Sequence, residues 1–254
     1  MSEPKFPDHF SVVSSGYANF RPSYPSALFA ALADAAPSRA LAWDCGCGTG
    51  QASVALGLYF EQVVATDASA AQIAHATPHD RVTYGVSSAE QSELADASVA
   101  LITVAQALHW FDVDAFHVEA SRVLMPNGVI AEWTYALLEF PSGPMLTQLM
   151  RDFDRTMGEW WPEERVLVDR HYRDLAFPFT PIDVGSFAMD ATWSVEQLLG
   201  YVGTWSAVSR CRASTGHDPL VALTAALREM WGEQTTQQLV WPLTLRVGRL
   251  ITAV

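Results

Sequence analysis

The decapeptide Ala42–Gln51, AWDCGCGTGQ, is the feature that most restricts the fold. An apolar run closes on an acid, Asp44, and three alternating glycines follow, Gly46, Gly48 and Gly50. Lacking a Cβ, glycine accepts backbone conformations closed to other residues and lets the main chain approach a ligand. A tight strand-to-helix turn explains one such glycine but hardly three. The run Ala40–Trp43 reads as a strand, and Thr49–Tyr59 as the helix that follows the loop.

The same rhythm continues along the chain. Gln62–Thr66 (QVVAT) is expected as a second strand, with Ser69–Ala76 as a helix. Arg81–Gly85 is the third strand, Val99–Ala105 the fourth and Val113–Leu124 the next helix. Pro126-Asn127-Gly128 then turns the chain into a fifth strand, Val129–Tyr135. This alternation specifies an α/β fold, a parallel sheet with helices on both faces. Such sheets bind ligands at the carboxyl ends of the strands, where the strand order reverses. The glycine loop belongs there.

After Tyr135 the rhythm breaks. Five prolines, Pro141, Pro144, Pro162, Pro178 and Pro181, are spread among helical patches such as Met145–Met157. Ile182–Ala188 is expected as a strand, Val195–Val208 and Leu220–Trp231 as helices, and Leu239–Val247 as the last strand. The expectation is one domain over residues 1–254. Its core covers about 26–135 and 180–254, with an N-terminal cover at 1–25 and an inserted helical lid at about 136–180.

Charge and cysteine content narrow the partners. The formal charge is −13, and Lys5 is the only lysine. So acidic a chain argues against nucleic acid and anionic membranes, both of which select basic surfaces. A small-molecule substrate is expected, with the oligomeric state left open. No window approaches the roughly 18 uninterrupted apolar residues of a membrane span. The opening MSEPKFPDHF lacks a basic start followed by an apolar run, so no secretory leader is expected. Three cysteines make no disulfide framework, which points to the cytoplasm. Cys45 and Cys47 supply two ligands where a structural zinc needs four, Cys211 is remote, and no metal is expected.

Further positions extend the loop into a candidate site. Asp67 ends the second strand, where a carboxylate can accept hydrogen bonds from both ribose hydroxyls of an adenosine. Charge-assisted bonds of this kind contribute about 1.5–3 kcal/mol each. Ser88-Ala89-Glu90 follows the third strand, and Ser88 with Gln91 also makes a helix capping box. Ala105–Phe111, AQALHWF, ends the fourth. A dinucleotide fingerprint would need glycine at position 51, where Gln51 stands.

These pieces resemble the class I S-adenosylmethionine-dependent methyltransferases: D-x-G-x-G-x-G from Asp44, the acids after strands two and three, and P-N-G before strand five. The segments A-x-H-W-F-D, YANFRPSYP, YVGTWSAV and WPLTLRVGR resemble, more narrowly, a subgroup related to the trans-aconitate and ubiquinone-pathway methyltransferases. The resemblance implies a Rossmann-like seven-stranded sheet whose last strand runs antiparallel. It implies S-adenosyl-L-methionine as cofactor and methyl transfer to a small-molecule acceptor. Asp44, Gly46 and Gly48 would then lie along the methionine part, Asp67 on the ribose, Ala89 and Glu90 by the adenine, and Gln106 near the sulfonium. Tyr17 and Arg21 would fold over the site. Arg21 either pairs with the cofactor's carboxylate, caps the helix start at Pro22 or meets Asp8.

His109, with an unperturbed pKa near 6.5, is the candidate general base for a hydroxyl or neutral amine acceptor. Its alternative role is to bond backbone and hold its loop. A carboxylate acceptor needs no base, and the H-W-F-D resemblance leans towards such O-methylation. Trp110 and Phe111 either line the acceptor pocket or belong to the core. Trp133, Tyr135, Trp160, Trp161, Trp205 and Arg210 are further pocket candidates beneath the lid. Two other functions share the glycine loop: an NAD(P)-dependent oxidoreductase, against which Gln51 stands, and an inactive S-adenosylmethionine-binding partner protein.

Overall fold

The computed structural model describes residues 22–251. Five parallel strands form its centre: β1 (Leu41–Cys45), β2 (Gln62–Asp67), β3 (Val82–Val86), β4 (Val99–Ala105) and β5 (Leu124–Tyr135). They lie in the order β3-β2-β1-β4-β5. β8 (Gln237–Arg249) pairs antiparallel with β5, and the two-residue β6 (Thr180–Pro181) on its far side completes a path of seven strands. An eighth, β7 (Ala188–Trp193), leaves that path and pairs antiparallel with the first part of β8. The strand order reverses between β1 and β4, so a crevice opens at their carboxyl ends.

Burial explains why these runs become central strands. Residues Val99 to Val104 of β4 are all fully buried, as expected of a strand covered on both faces. Alternation along β1 sends Ala42 to one face and Trp43 to the other. One face packs against α1 (Ser26–Ala35) and α2 (Gln51–Leu56) through Leu28, Phe29 and Leu56. The opposite face meets α4 (Val113–Val123), where Trp43 and Phe116 make an edge-on ring contact at 6.1 Å. The fifth strand begins earlier than its P-N-G turn suggests. Asn127 takes a left-handed φ of 63° within β5, and the register against β4 shifts nearby.

Between β5 and β8 the chain builds a cap: α5 (Pro144–Thr156), the single turn α6 (Arg165–Asp169), α7 (Val195–Gly203), α8 (Ser206–Thr215) and α9 (Leu220–Trp231). The cap does not close near residue 180. Met150 and Phe153 from before that point share one buried cluster with Leu198, Trp205 and Trp231 from after it. That cluster is continuous with Trp133 and Trp241 of the sheet. Two expected elements differ. Ile182–Phe187 forms no strand: only its ends bond β8, Ile182 N–H to the Val247 carbonyl and the Phe187 carbonyl to Leu243 N–H, while between them Asp183 Oδ1 accepts the Gly185 N–H at 2.8 Å in a turn with Gly185 at φ 95°. The helix expected over Val195–Val208 is two helices, parted where Trp205 becomes extended and Thr204 Oγ1 turns back to the Tyr201 carbonyl.

A buried polar chain fastens the cap's descending segment to the sheet. His117 Nε2 of α4 lies 2.6 Å from Glu132 Oε1 of β5, and Glu132 Oε2 lies 3.2 Å from Arg246 Nη2 of β8. Arg246 also donates to the carbonyls of Tyr172, Leu175 and Ala176.

Candidate functional site

A cavity of about 480 Å³ occupies the crevice at the carboxyl ends of β1, β2 and β4. That is within the range of small-molecule sites. Six of the positions expected to hold a cofactor line it: Gly46, Gly48, Asp67, Ala89, Glu90 and Gln106. Trp110, Phe111 and Tyr135 line it as well.

The loop is shaped by its glycines. Gly46, at φ 69°, sits so close to the end of β4 that an added Cβ would stand 2.6 Å from the Ala107 Cβ. At Gly48, φ 55°, the nearest atom to an added Cβ is Gln72 Oε1 at 4.0 Å. Protein packing therefore does not demand glycine there for space. The room beside it is the cavity, and a side chain would intrude on a ligand. Asp67 ties the loop to β2: Oδ2 accepts the Gly48 N–H at 2.9 Å and Oδ1 the Ser69 N–H at 2.8 Å. Burial raises its carboxyl above the usual range while these two bonds oppose the shift. Each oxygen retains acceptor capacity for a hydroxyl.

Asp44 does not reach the cavity wall. It is fully buried, Ser53 Oγ donates to Oδ2 at 2.5 Å, and Thr103 Oγ1 donates to Oδ1 at 2.8 Å. Burial lifts its pKa to about 6 against those hydrogen bonds. Its place is behind the loop, bracing β1 to α2 and β4. Glu90 Oε1 accepts the Asp112 N–H at 3.0 Å, and Ala89 is buried at the wall. Ser88 caps no helix, since residues 87–95 form irregular backbone. Gln106 leaves β4 at a left-handed φ of 56°, and its Oε1 accepts from Thr134 Oγ1 at 2.8 Å and the Tyr135 N–H at 2.9 Å.

His109 stands on a 3₁₀ turn, Leu108–Trp110, outside the lining of this cavity. Its Nδ1 is 3.0 Å from the Tyr172 hydroxyl. Burial, with the nearby Arg165 cation, lowers its pKa to about 4. It is neutral at pH 7 and engaged by protein, as in the loop-holding role. Trp133 is wholly buried in the core, edge-on to Tyr24 at 5.5 Å. Trp205 packs inside the cap against Phe153 and Trp161, and Trp161 lies under the Arg165 guanidinium at 4.2 Å. Trp160 packs against the same core. Arg210, on α8, lies away from the cavity lining. Trp133, Trp205 and Arg210 are therefore not brought to this pocket. Tyr17 and Arg21 fall outside the described residues.

Sequence reading passed over Tyr24, Ser69 and Gln72 at the wall. Ser69 had a signal, since it directly follows the Asp67 strand end and caps α3 (Ala70–Ala74). Tyr24 lies in the YANFRPSYP segment, where only Tyr17 and Arg21 were singled out, and the cap's Tyr172 had none. Gln51, which breaks the dinucleotide fingerprint, lines the cavity and donates to the Pro22 carbonyl at 2.9 Å. Among the described residues no three His, Cys, Asp or Glu side chains gather as metal ligands, and burial raises both the Cys45 and Cys47 thiols. No described helix is long and apolar enough to cross a membrane.

An open α/β sheet with a glycine cradle and a strand-end carboxylate at its switch point defines a nucleotide-type cofactor site, and the comparisons specify which. Residues 43–131 match the family described as "Methyltransferase domain". A Dictyostelium discoideum protein assigned as a methyltransferase is 35% identical over 206 residues, covering 80% of this chain and 78% of its own. The solved structure of a protein from Anaeromyxobacter dehalogenans, assigned as a type II methyltransferase, is 43% identical. It covers 92% of this chain and 100% of its own, with a TM-score of 0.85. A Saccharomyces cerevisiae protein assigned as an S-adenosylmethionine-dependent methyltransferase is 30% identical over 140 residues, about half of each chain at 52% and 48%. The chain belongs to the class I S-adenosylmethionine-dependent methyltransferases. It is an enzyme of that family, and S-adenosylmethionine is its cofactor.

Proposed function

We propose that this enzyme transfers the methyl group of S-adenosylmethionine to a small-molecule acceptor in the cavity at the β1–β4 crevice. The single observation that carries this reading is the joint lining of one cavity by Gly46, Gly48, Asp67, Ala89, Glu90 and Gln106. Gly46 and Gly48 leave room for the methionine arm, Asp67 accepts from the ribose, Ala89 and Glu90 flank the adenine, and Gln106 stands at the sulfonium end. Asp44 serves indirectly by holding the loop's shape. Tyr17 and Arg21, outside the described residues, would fold over the cofactor. The chain acts as one domain of cytoplasmic location, without nucleic acid, membrane or metal.

The cofactor, when bound, supplies the methyl group. The protein's part is to hold the acceptor close and aligned, worth roughly 7–11 kcal/mol, and to exclude water beside Trp110, Phe111 and Tyr135. A carboxylate acceptor, and placement near the trans-aconitate-type enzymes, is supported by the state of His109. The expected base is neutral, bonded to Tyr172 and off the cavity wall, so an acceptor already ionised at pH 7 suits the site. The charged residues described at the wall, Asp67 and Glu90, are both acidic. The grip on an acid therefore falls to neutral donors or to Arg21.

Calorimetry with S-adenosylmethionine, S-adenosylhomocysteine and NADH tests the cofactor site, with micromolar binding, about −8 kcal/mol, expected for the first two only. Labelled-methyl transfer to a panel of small acids, phenols and amines tests the acceptor. Transfer to phenols or amines alone rejects the carboxylate.

A further inference from the structure

The Gln106 side chain is fixed end for end. Its Oε1 accepts the Tyr135 N–H at 2.9 Å and the Thr134 hydroxyl at 2.8 Å. A backbone N–H can only donate, so the atom it meets is the amide oxygen, which settles the direction of the amide. Both lone-pair sites of that oxygen are taken by protein. The end left to the cavity, which Gln106 lines, is the NH₂ group. It has two hydrogens, and the acceptor it meets among the described residues, the Tyr135 carbonyl, stands at 3.5 Å. The main chain holds the same pose: Gln106 is left-handed at φ 56°, with its N–H on the Trp133 carbonyl at 2.9 Å.

The sign of the free end decides what it can hold. An amide NH₂ carries positive partial charge, so it repels a sulfonium and binds an oxygen anion. The amide oxygen would suit a cation, but it is turned away from the cavity. Gln106 therefore stands near the methyl group as a donor for the acceptor molecule. The other wall residues sort to match. Asp67 ends β2 and Glu90 follows β3, whereas Gln106 follows β4 and Tyr135 ends β5, beyond β1 in the strand order. An acid on the β4–β5 side is thus kept across β1 from those two strand-end carboxylates. Tyr24, edge-on to Trp133 of β5 at 5.5 Å, and Trp110 add ring surface to the wall for an apolar body.

We propose that the Gln106 NH₂ group grips the acceptor by a carboxylate oxygen, so that Gln106 selects the acid and not the cofactor. The proposal rests on the methyl-transfer reading above and on the place of Gln106 within it. When a carboxylate takes a methyl group from a sulfonium, one oxygen forms the C–O bond as the C–S electron pair returns to sulfur. No proton moves. The second oxygen keeps its lone pairs, and a neutral donor can hold it throughout. A hydroxyl acceptor has no second oxygen, so the same donor would compete for the attacking atom. Gln106 thereby distinguishes acids from alcohols of the same shape.

The test titrates the S-adenosylhomocysteine-loaded protein with benzoate, phenylacetate and hexanoate, and with benzyl alcohol, 2-phenylethanol and hexanol as their uncharged counterparts. Wild type is compared with Gln106→Glu, which keeps the acceptor for Tyr135 and Thr134, and with Gln106→Met, which removes the donor without adding charge. At least one acid should bind the wild type about tenfold or more tighter than its alcohol. Both variants should lose that preference, with adenosine affinity unchanged. In nitrogen-15 spectra of glutamine-labelled protein, the side-chain NH₂ signal missing from Gln106→Glu should shift with the acid and stay with the alcohol. Alcohols bound as well as acids, no acid bound at millimolar concentration, or an acid preference kept in both variants would each overturn the proposal. So would an equal loss of adenosine binding in both variants, which marks a general defect. A separate titration tests the reading beneath it: Gln106→Glu should tighten S-adenosylmethionine relative to S-adenosylhomocysteine by about threefold or more. If the wild type binds neither, the methyl-transfer reading fails. If it binds both and the ratio stays put, the place of Gln106 at the sulfonium end fails, and the grip on the acid with it.

Discussion

The glycine-loop end of the sheet and the cap reach their forms by different routes. At the loop end, the wall residues other than Tyr24 lie within several positions of a strand terminus, and short-range backbone geometry sets them in place. Gly46 and Gly48 are left-handed, Asp67 bonds the loop it faces, and Gln106 turns off the end of β4. In the cap, positions depend on partners far away in sequence. Tyr172 meets His109 across 63 residues, and Arg246 reaches back 74 to hold Tyr172. The lesson is a division of labour. Local backbone chemistry builds the cofactor cradle, and long-range packing decides which side chains stand behind it.

That contrast can be broken most forcefully in the cap core. Trp205→Ala should destabilise the protein by about 3–5 kcal/mol, because it empties a buried indole site between Phe153, Trp161 and Tyr201. Adenosine affinity at temperatures where the variant remains folded should not change. Thermal melts with calorimetry check both, and a tenfold loss of adenosine binding would show the two regions to be coupled.

The loop should behave in the opposite way. Gly48→Val is expected to weaken S-adenosylhomocysteine binding by about 100-fold or more, near 2.7 kcal/mol. A branched residue is strained at φ 55° and its side chain projects beside the ligand space. Wild-type affinity in this variant would contradict the cradle. Asp67→Ala should cost at least about tenfold in the same titration, since one carboxylate supplies the acceptors for two hydroxyls. An unchanged constant would confine Asp67 to its bonds with Gly48 and Ser69.

Acidity separates the regions more finely. His109 falls from 6.5 unfolded to about 4 folded, so the unfolded chain binds the extra proton between those values. Its contribution to stability is complete above pH 6.5 and lost as pH falls towards 4. Asp44 runs the other way. Its pKa rises from 3.8 to about 6, so its contribution is complete below pH 3.8 and lost as pH rises through 6. The two slopes oppose each other in the wild type. His109→Gln should therefore lose less stability than wild type between pH 6.5 and 4, by an amount on the order of 2 kcal/mol. Denaturant midpoints across that window provide the measurement, and parallel curves would mean His109 is not held neutral. The smallest effect is expected from EDTA, which should leave cofactor binding unchanged. A fall in affinity on chelation would require a metal that Cys45 and Cys47, with raised thiols, are poorly disposed to hold.

How much was legible in the chain follows the same boundary. β4 was readable as Val99–Ala105 because a run of six apolar residues broken only by Thr103 suits a strand covered on both faces. Gly46, Gly48, Asp67, Ala89, Glu90 and Gln106 were legible because a parallel sheet places every strand end on one edge, so each site residue appears a fixed step after its strand. Asp44, expected along the methionine part of the cofactor, stands behind the loop and off the cavity lining. Its sequence position puts it at the loop, but the register of β1 against β4 brings Thr103 to one oxygen and the packing of α2 brings Ser53 to the other. Trp133, Trp205 and Arg210 were taken for pocket residues because an aromatic or a guanidinium has the same composition whether it faces a ligand or the core. No local pattern distinguishes the two.

Apolar periodicity and glycine spacing, which act over a few residues, suffice to specify the layered α/β fold and the glycine loop at its crevice. It takes the three-dimensional packing to bury His109 beside Tyr172 and off the cavity lining, and to carry the cap past residue 180 to Trp231. The same packing brings the Tyr172 hydroxyl to 3.0 Å from His109 Nδ1. Each of these depends on burial and on a hydrogen-bond partner many residues away, and a proton's place is set by what surrounds the group and not by the group's own position in the chain.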